Sequence, residues 1–209
     1  MNIKTIPTGA YEEICSIVWS NNNQALIFDP GDDAELIAQT LSEKGLSVTA
    51  YCCTHAHADH INALAKLHAQ FPAPILMHSA DLKWAFSPVN QIPPHYPIPP
   101  QPQNTEILPL ESKSEWTFSD LTFQVIQTPG HTPGCCCLYF PEGQILISGD
   151  TLFKGSCGRT DLPGGNPKQI TESLKILAKL PIETRVYPGH GPDTTIGLEL
   201  QTNFFMKQH

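Results

Sequence analysis

The chain has little charge, few basic residues and no long apolar run. Only 15% of its 209 residues are charged, and Asp and Glu outnumber Lys and Arg by 20 to 12, for a formal net charge of -8. That balance argues against a nucleic-acid partner, which wants a basic face. No apolar stretch is long enough to span a membrane, and Met1-Asn2-Ile3-Lys4-Thr5 leads into none. Neither a membrane partner nor a signal peptide is therefore expected, and the expected location is the cytoplasm. The seven cysteines are an odd number and show no secreted framework; in a reducing cytosol they are expected as thiols. No repeat or composition break divides the chain, so residues 1–209 are read as one domain, long enough for a substantial core.

Periodicity supplies the elements. Short β-prone runs at Ile14 to Trp19 and Ala25 to Phe28 flank Asn21-Asn22-Asn23 and read as a hairpin. Ala34 to Lys44 has helical spacing and is stopped by Gly45, and Leu46 to Cys53 is the next strand. Asp59 to Gln70 reads as one helix, Ile75 to His78 as a short strand and Asp81 to Phe86 as a helical turn. Residues 87 to 109 contain eight prolines, which exclude a helix or a sheet interior and predict a long connection, functional or plain surface. Hairpins are expected from Trp116 to Phe118 with Leu121 to Gln127, and from Cys135 to Phe140 with Gln144 to Ser148. A glycine-rich loop, Gly149 to Asn166, precedes a helix over Pro167 to Leu180, a strand over Thr184 to Tyr187 and a closing helix over Asp193 to Phe205. The order predicts two β-rich halves packed on each other with helices outside.

Against this ordinary background stands Thr54-His55-Ala56-His57-Ala58-Asp59-His60. Crowded histidines repel when protonated and lose hydration when neutral, unless something binds them. Three imidazoles and a carboxylate in six positions suit zinc or iron. Four further polar residues also follow β-runs: Asp29, His131 in Thr-Pro-Gly-His-Thr-Pro-Gly, Asp150 in Ser-Gly-Asp-Thr, and His190 in Tyr-Pro-Gly-His-Gly. Residues that follow strands can gather at one edge of the sheets. His55, His57, His60, His131, His190, Asp59 and Asp150 make seven candidate ligands, too many for one ion. They suit two ions sharing Asp150, with a bridging hydroxide as nucleophile.

The pattern resembles the metallo-β-lactamase superfamily, whose signature is His-x-His-x-Asp-His, over nearly the whole chain. The resemblance implies an α/β fold, an αββα sandwich of two mixed sheets with helices on the outer faces. It assigns His55, His57 and His131 to a first metal, Asp59, His60 and His190 to a second, and Asp150 to both, with Asp59 and Asp150 as the catalytic carboxylates. The implied cofactors are two divalent ions, zinc first, with iron or manganese as options. Thr-Pro-Gly-His-Thr-Pro-Gly, Ser-Gly-Asp-Thr-Leu-Phe and Gly158-Arg159-Thr160-Asp161 look most like the glyoxalase II-like branch, whose members hydrolyse S-acyl glutathione thioesters. Full-length enzymes of that branch carry a C-terminal helical extension; this chain stops at His209 and looks more like the short bacterial glyoxalase II-like hydrolases. The expected partner is a small thioester or ester. The alternatives are a lactone or phosphodiester hydrolase of the superfamily, or a persulfide dioxygenase. The last resemblance implies one iron on His55, His131 and Asp150.

Other residues have plainer readings. Lys154 and Arg159 are candidate grips on a substrate carboxylate, although Arg159 could instead pair with Asp161. Asp29 is expected either to orient a ligand histidine through its other ring N–H or to cap the Asp-Pro-Gly turn. His68, His78, His95 and His209 read as ordinary surface or hydrogen-bonded histidines. Cys52-Cys53 and Cys135-Cys136-Cys137 lie in β-runs, where neighbours face opposite sides, and read as small hydrophobes. Cys157 reads as filler too, although the nearby Arg159 charge would lower its pKa.

Overall fold

Alternation of apolar residues builds both sheets. The structure, a computed structural model, describes residues 1–207; His209 lies outside them. In the first sheet β1 (Asn2–Thr8), β2 (Glu13–Trp19) and β3 (Gln24–Phe28) run antiparallel. Helix α1 (Ala34–Glu43) then returns the chain to β4 (Ser47–Cys52), parallel to β3. Helices α2 (Ala58–Ile61) and α3 (Leu64–Gln70) lead to β5 (Ile75–Met77), and α4 (Ser79–Leu82) with the proline-rich segment leads to β6 (Ile107–Pro109). Strand order is β1-β2-β3-β4-β5-β6.

The second sheet follows from β7 (Glu115–Phe118), β8 (Leu121–Gln127), β9 (Cys136–Phe140) and β10 (Ile145–Gly149). A small ribbon of β11 (Leu152–Phe153) and β12 (Ser156–Cys157) precedes α5 (Pro167–Leu177). Then come β13 (Arg185–Pro188), β14 (Thr194–Thr195), α6 (Ile196–Thr202) and α7 (Phe204–Lys207), giving the sheet order β14-β13-β10-β9-β8-β7.

The two sheets meet face to face over Val18, Leu26, Leu138 and a trio of rings. Phe28 lies 6.1 Å from Phe123 and 5.9 Å from Phe140, centroid to centroid, edge-on in both cases. The intervening residues point the other way. Ile17, Ile27 and Tyr51 pack on Ile37 and Leu41 of α1 and on Leu64 and Leu67 of α3. Tyr139, Leu146 and Val186 pack on Leu174 and Leu177 of α5, Ile196 of α6 and Met206 of α7. The αββα sandwich expected from the sequence is therefore present. The cysteines follow the same alternation: Cys52 and Cys136 face the inter-sheet core, whereas Cys53 and Cys137 face helices.

The expected Gly149–Asn166 loop contains the short β11–β12 ribbon, and four further departures from the sequence reading each have a physical reason. Strand β1 was not expected; it is an edge strand, where Pro7 removes no ladder partner that the sheet needs. The single helix over Asp59–Gln70 is two, because the Ala63 N–H turns to the carbonyls of Pro30 (3.1 Å) and Gly31 (3.0 Å). The proline-rich segment ends in β6, again at a sheet edge. The closing helix begins later, after β14, and breaks at Asn203, whose side chain donates to Ser156 O (3.0 Å) and Glu199 Oε2 (2.8 Å). No helix among the described residues is long and apolar enough to cross a membrane.

Candidate metal centre

The strand ends bring the polar residues to one edge of the sandwich. Asp29 ends β3, the Thr54–His60 segment ends β4, His131 follows β8, Asp150 follows β10 and His190 follows β13. Backbone bonds tie the two sheets together at this edge: Cys136 N–H donates to Thr54 O (2.8 Å) and Ile14 N–H to Gly189 O (2.7 Å). Helix α5 buttresses the His131 turn. Asn166 caps the helix by accepting from Lys168 and Gln169 N–H, while its own N–H donates to Gly130 O (2.8 Å). Two glycines are required by close approach. Gly149 has φ +47, and a Cβ there would meet Thr54 Oγ1 at 2.2 Å; a Cβ on Gly189 would meet Asp150 Oδ1 at 2.3 Å.

The seven expected ligands converge. Donor atoms of His55, His57 and His131 lie within 4.8 Å of one another, and those of Asp59, His60 and His190 form a second such group. Asp150 spans them: Oδ1 lies 3.4 Å from His60 Nε2 and Oδ2 lies 3.4 Å from His131 Nε2. His190 Nε2 is 3.4 Å from Asp59 Oδ2. A third group, Asp29 with His55 and His60, also falls within 4.8 Å. Both oxygens of its Asp29 carboxylate are already engaged, however. Oδ1 accepts from Thr54 N–H (2.6 Å), and Oδ2 accepts from Thr54 Oγ1 (2.5 Å) and faces His60 Nδ1 at 3.1 Å.

Partners on the outer nitrogens fix the tautomers. His131 Nδ1–H donates to Arg159 O (2.8 Å) and His190 Nδ1–H to Tyr11 O (3.1 Å), since a carbonyl can only accept. His60 Nδ1–H donates to Asp29. The Thr54 hydroxyl gives its proton to Asp29, so its oxygen accepts His55 Nδ1–H at 3.1 Å. Four imidazoles thus turn Nε2 inward, while His57 turns Nδ1, 2.9 Å from His131 Nε2. His55 Nε2, His60 Nε2 and Asp150 Oδ1 are buried with no hydrogen-bond partner. Unpaired buried acceptors of this kind are costly, and a cation relieves the cost. The donor set fits divalent metal ions.

Electrostatics divide the cluster. Burial, then His60 and the other neighbouring imidazoles, push His55 well below the usual histidine range, and burial with His131 brings His57 to about 3. Burial also opposes charge on His60, but Asp150 and Asp59 outweigh it and raise its pKa. His190 is raised as well, by its hydrogen bond to Asp59 and by Asp150, against burial. Burial alone would raise Asp59 and Asp150; the histidines, His60 first, hold both below the usual carboxylate range.

A cavity of about 730 Å³ opens over the cluster, with His57, Asp59, His131, Asp150 and His190 on its floor. Arg159 is on its wall, but the guanidinium is paired with Asp161, Nε to Oδ1 and Nη2 to Oδ2, both 2.7 Å. Lys154 is exposed and does not line the cavity. Cys157 lines it as a thiol, since burial pushes its pKa up to about 11, whatever charge Arg159 carries nearby.

Several contributors were not picked out from the sequence. Asp81 accepts from Ala56 N–H (3.2 Å), Thr132 Oγ1 (2.6 Å) and Gly134 N–H (2.8 Å), joining both histidine loops. Its position soon after β5 is the same signal that marked the ligands. Glu13 is a buried carboxyl with Oε1 3.6 Å from His60 Nδ1. Tyr11 supports His190, and its own N–H reaches Tyr96 in the proline-rich segment (3.4 Å). That segment also puts Val89, Asn90, Gln91 and Ile92 on the cavity wall, so it belongs to the site.

A sequence model described as Metallo-beta-lactamase superfamily matches residues 13–190. The chain belongs to this superfamily. Its fold and His/Asp cluster imply divalent metals, and the superfamily supports a hydrolase. The Bacillus subtilis protein named probable metallo-hydrolase YqgX is 35% identical, over 99% of this chain and 98% of that one. The Haemophilus influenzae hydroxyacylglutathione hydrolase GloC is 32% identical, over 99% and 98%. Among solved structures, BLEG-1 B3 metallo-beta-lactamase superposes with a TM-score of 0.91 at 36% identity, covering 98% of this chain and 99% of that one. TTHA1623 in a di-iron-bound form gives 0.83 at 39%, covering 97% and 99%. ETHE1 from Myxococcus xanthus gives 0.81 at 26%, covering 100% and 86%.

Proposed function

We propose that this superfamily member is a two-metal thioester hydrolase of the glyoxalase II kind, cleaving an S-acyl glutathione or a related thioester. The observation that carries the reading is the inward set of nitrogen lone pairs on five histidines, with the Asp150 carboxylate between the two groups. His55, His57, His131 and Asp150 would hold one ion, and Asp59, His60, His190 and Asp150 the other. Zinc suits this nitrogen-rich set, and the di-iron form of TTHA1623 supports iron as a second option. When bound, the ions supply an activated water and a positive field for the oxyanion.

The chain's own residues do the rest. Asp59 and Asp150 stay ionised on the cavity floor, so their oxygens can accept a hydrogen bond from the attacking water and orient its lone pair. Tyr11, Arg159 and Asp29 hold His190, His131 and His60 in register through their outer ring nitrogens. In the reaction a C–O bond forms at the carbonyl carbon and the C–S bond breaks. The electron pair leaves with sulfur, and the water's proton ends on the thiolate.

The name of the Haemophilus relative supports the substrate class. Thiol release from a thioester panel by metal-loaded protein, and its loss in His131→Ala, tests the reading. Loaded protein that releases no thiol from any member would defeat it. Oxygen uptake on a persulfide by protein holding a single iron would favour the dioxygenase alternative.

A further inference from the structure

The cavity walls carry information that the metal ligands do not. The apolar lining comes from Val89 and Ile92 of the proline-rich segment and from Phe153, Leu162 and Pro163 of the loop after Asp150. Val89 is 74% exposed, so its hydrophobic side chain does not fill the core. At about 730 Å³ the space lies within the range of small-molecule sites. The charges on these walls are as telling. Arg159 is the one Lys or Arg among the described residues that line the cavity, and one edge of its guanidinium, Nε and Nη2, is on Asp161. A glutathione carrier has two carboxylates to place. Here the one cation on the cavity lining is already paired with Asp161, in a chain of net charge -8.

We infer that the site is built for a thioester with an apolar acyl chain lying between Val89, Ile92, Phe153 and Leu162, on a carrier that is not read by charge. This rests on the thioester reading above and narrows it: the acyl chain supplies the binding, and glutathione is tolerated rather than required.

Non-hydrolysable thioethers separate the two readings. Calorimetric titration of metal-loaded protein would compare S-methyl-, S-butyl- and S-hexyl-glutathione with the same alkyl groups on N-acetylcysteamine. Affinity should climb in both series, by up to about fourfold per buried methylene. At equal alkyl length the neutral series should bind as tightly as the glutathione series. Leu162→Asp should flatten the climb with metal content unchanged. Asp161→Asn should free Arg159 and strengthen only the glutathione series. Affinity independent of chain length, or glutathione compounds tenfold or more tighter, would overturn the inference. A clear climb in protein that cleaves no thioester would support this pocket and defeat the thioesterase reading.

Discussion

His60 Nδ1 lies 3.1 Å from Asp29 Oδ2. Through this contact one carboxylate outside the donor set aims a ring in the second group. Asp29 also takes the Thr54 hydroxyl proton, which leaves Thr54 to accept from His55 and so aims a ring in the first. Asp29 sits at φ 47, a left-handed conformation that Asp and Asn tolerate better than most residues. Asp29→Asn should therefore keep the turn but place an amide N–H against donors. Metal affinity, measured by competition with a chelator, should fall about 10–100-fold in Asp29→Asn and in Asp29→Ala. Wild-type affinity in both variants would remove Asp29 from the account.

The pKa shifts predict that the two groups respond differently to pH. His60 and His190 are raised in the metal-free chain, so a proton competes with a metal at each of them from a higher pH than at an ordinary histidine. The proton favours the metal-free form, so loading of the second group should weaken as pH falls. The change should approach about tenfold per pH unit for each proton displaced. His55 and His57 are depressed, His57 to about 3, and have no proton to shed between pH 5 and 8. His55 and His57 should therefore add little to the pH dependence of loading the first group in that window. Metal titrations at several pH values, in buffers of different ionisation enthalpy, count the protons released. Identical pH slopes for the two ions would contradict the division.

Gly189 is where the Pro188–His190 turn passes the cluster. A Cβ there would sit 2.3 Å from Asp150 Oδ1 and 2.7 Å from His60 Cε1. Gly189→Ala should displace the shared carboxylate and one ring together. Circular dichroism should show the fold retained, while elemental analysis should show metal content reduced.

Away from the site, Phe123 packs on both Phe28 and Phe140 in the inter-sheet core, fully buried. Phe123→Ala should cost about 3–5 kcal/mol in denaturant unfolding, since it removes the ring and leaves a cavity. Metal content per folded chain should not change.

The ligands were legible because each follows a strand, and strand ends of one sandwich edge meet. The alternation of Cys52 with Cys53 and of Cys136 with Cys137 was legible for the same reason: side-chain period is a local property. What was not legible depends on long-range contacts. Nothing near Ala63 in sequence says that its N–H will leave the helix for Pro30 and Gly31. Tyr11 supports His190 with a backbone carbonyl, a group every residue carries, from 179 positions away. The proline-rich segment could be read as a connection, but not as a cavity wall. Only the fold brings Val89 and Ile92 to the same cavity as Phe153 and Leu162. The spacing of Arg159 to Asp161 allows either a substrate grip or an ion pair, and the structure shows the ion pair.

The central claim is that the donors serve two ions and not one. Elemental analysis of protein loaded with zinc, and separately with iron, against Asp59→Ala tests it most directly. Asp59 belongs to the second group alone, with His60 and His190. The account predicts about two equivalents in the parent chain and about one in Asp59→Ala, with hydrolysis lost. One equivalent in both proteins, bound equally tightly, would contradict it.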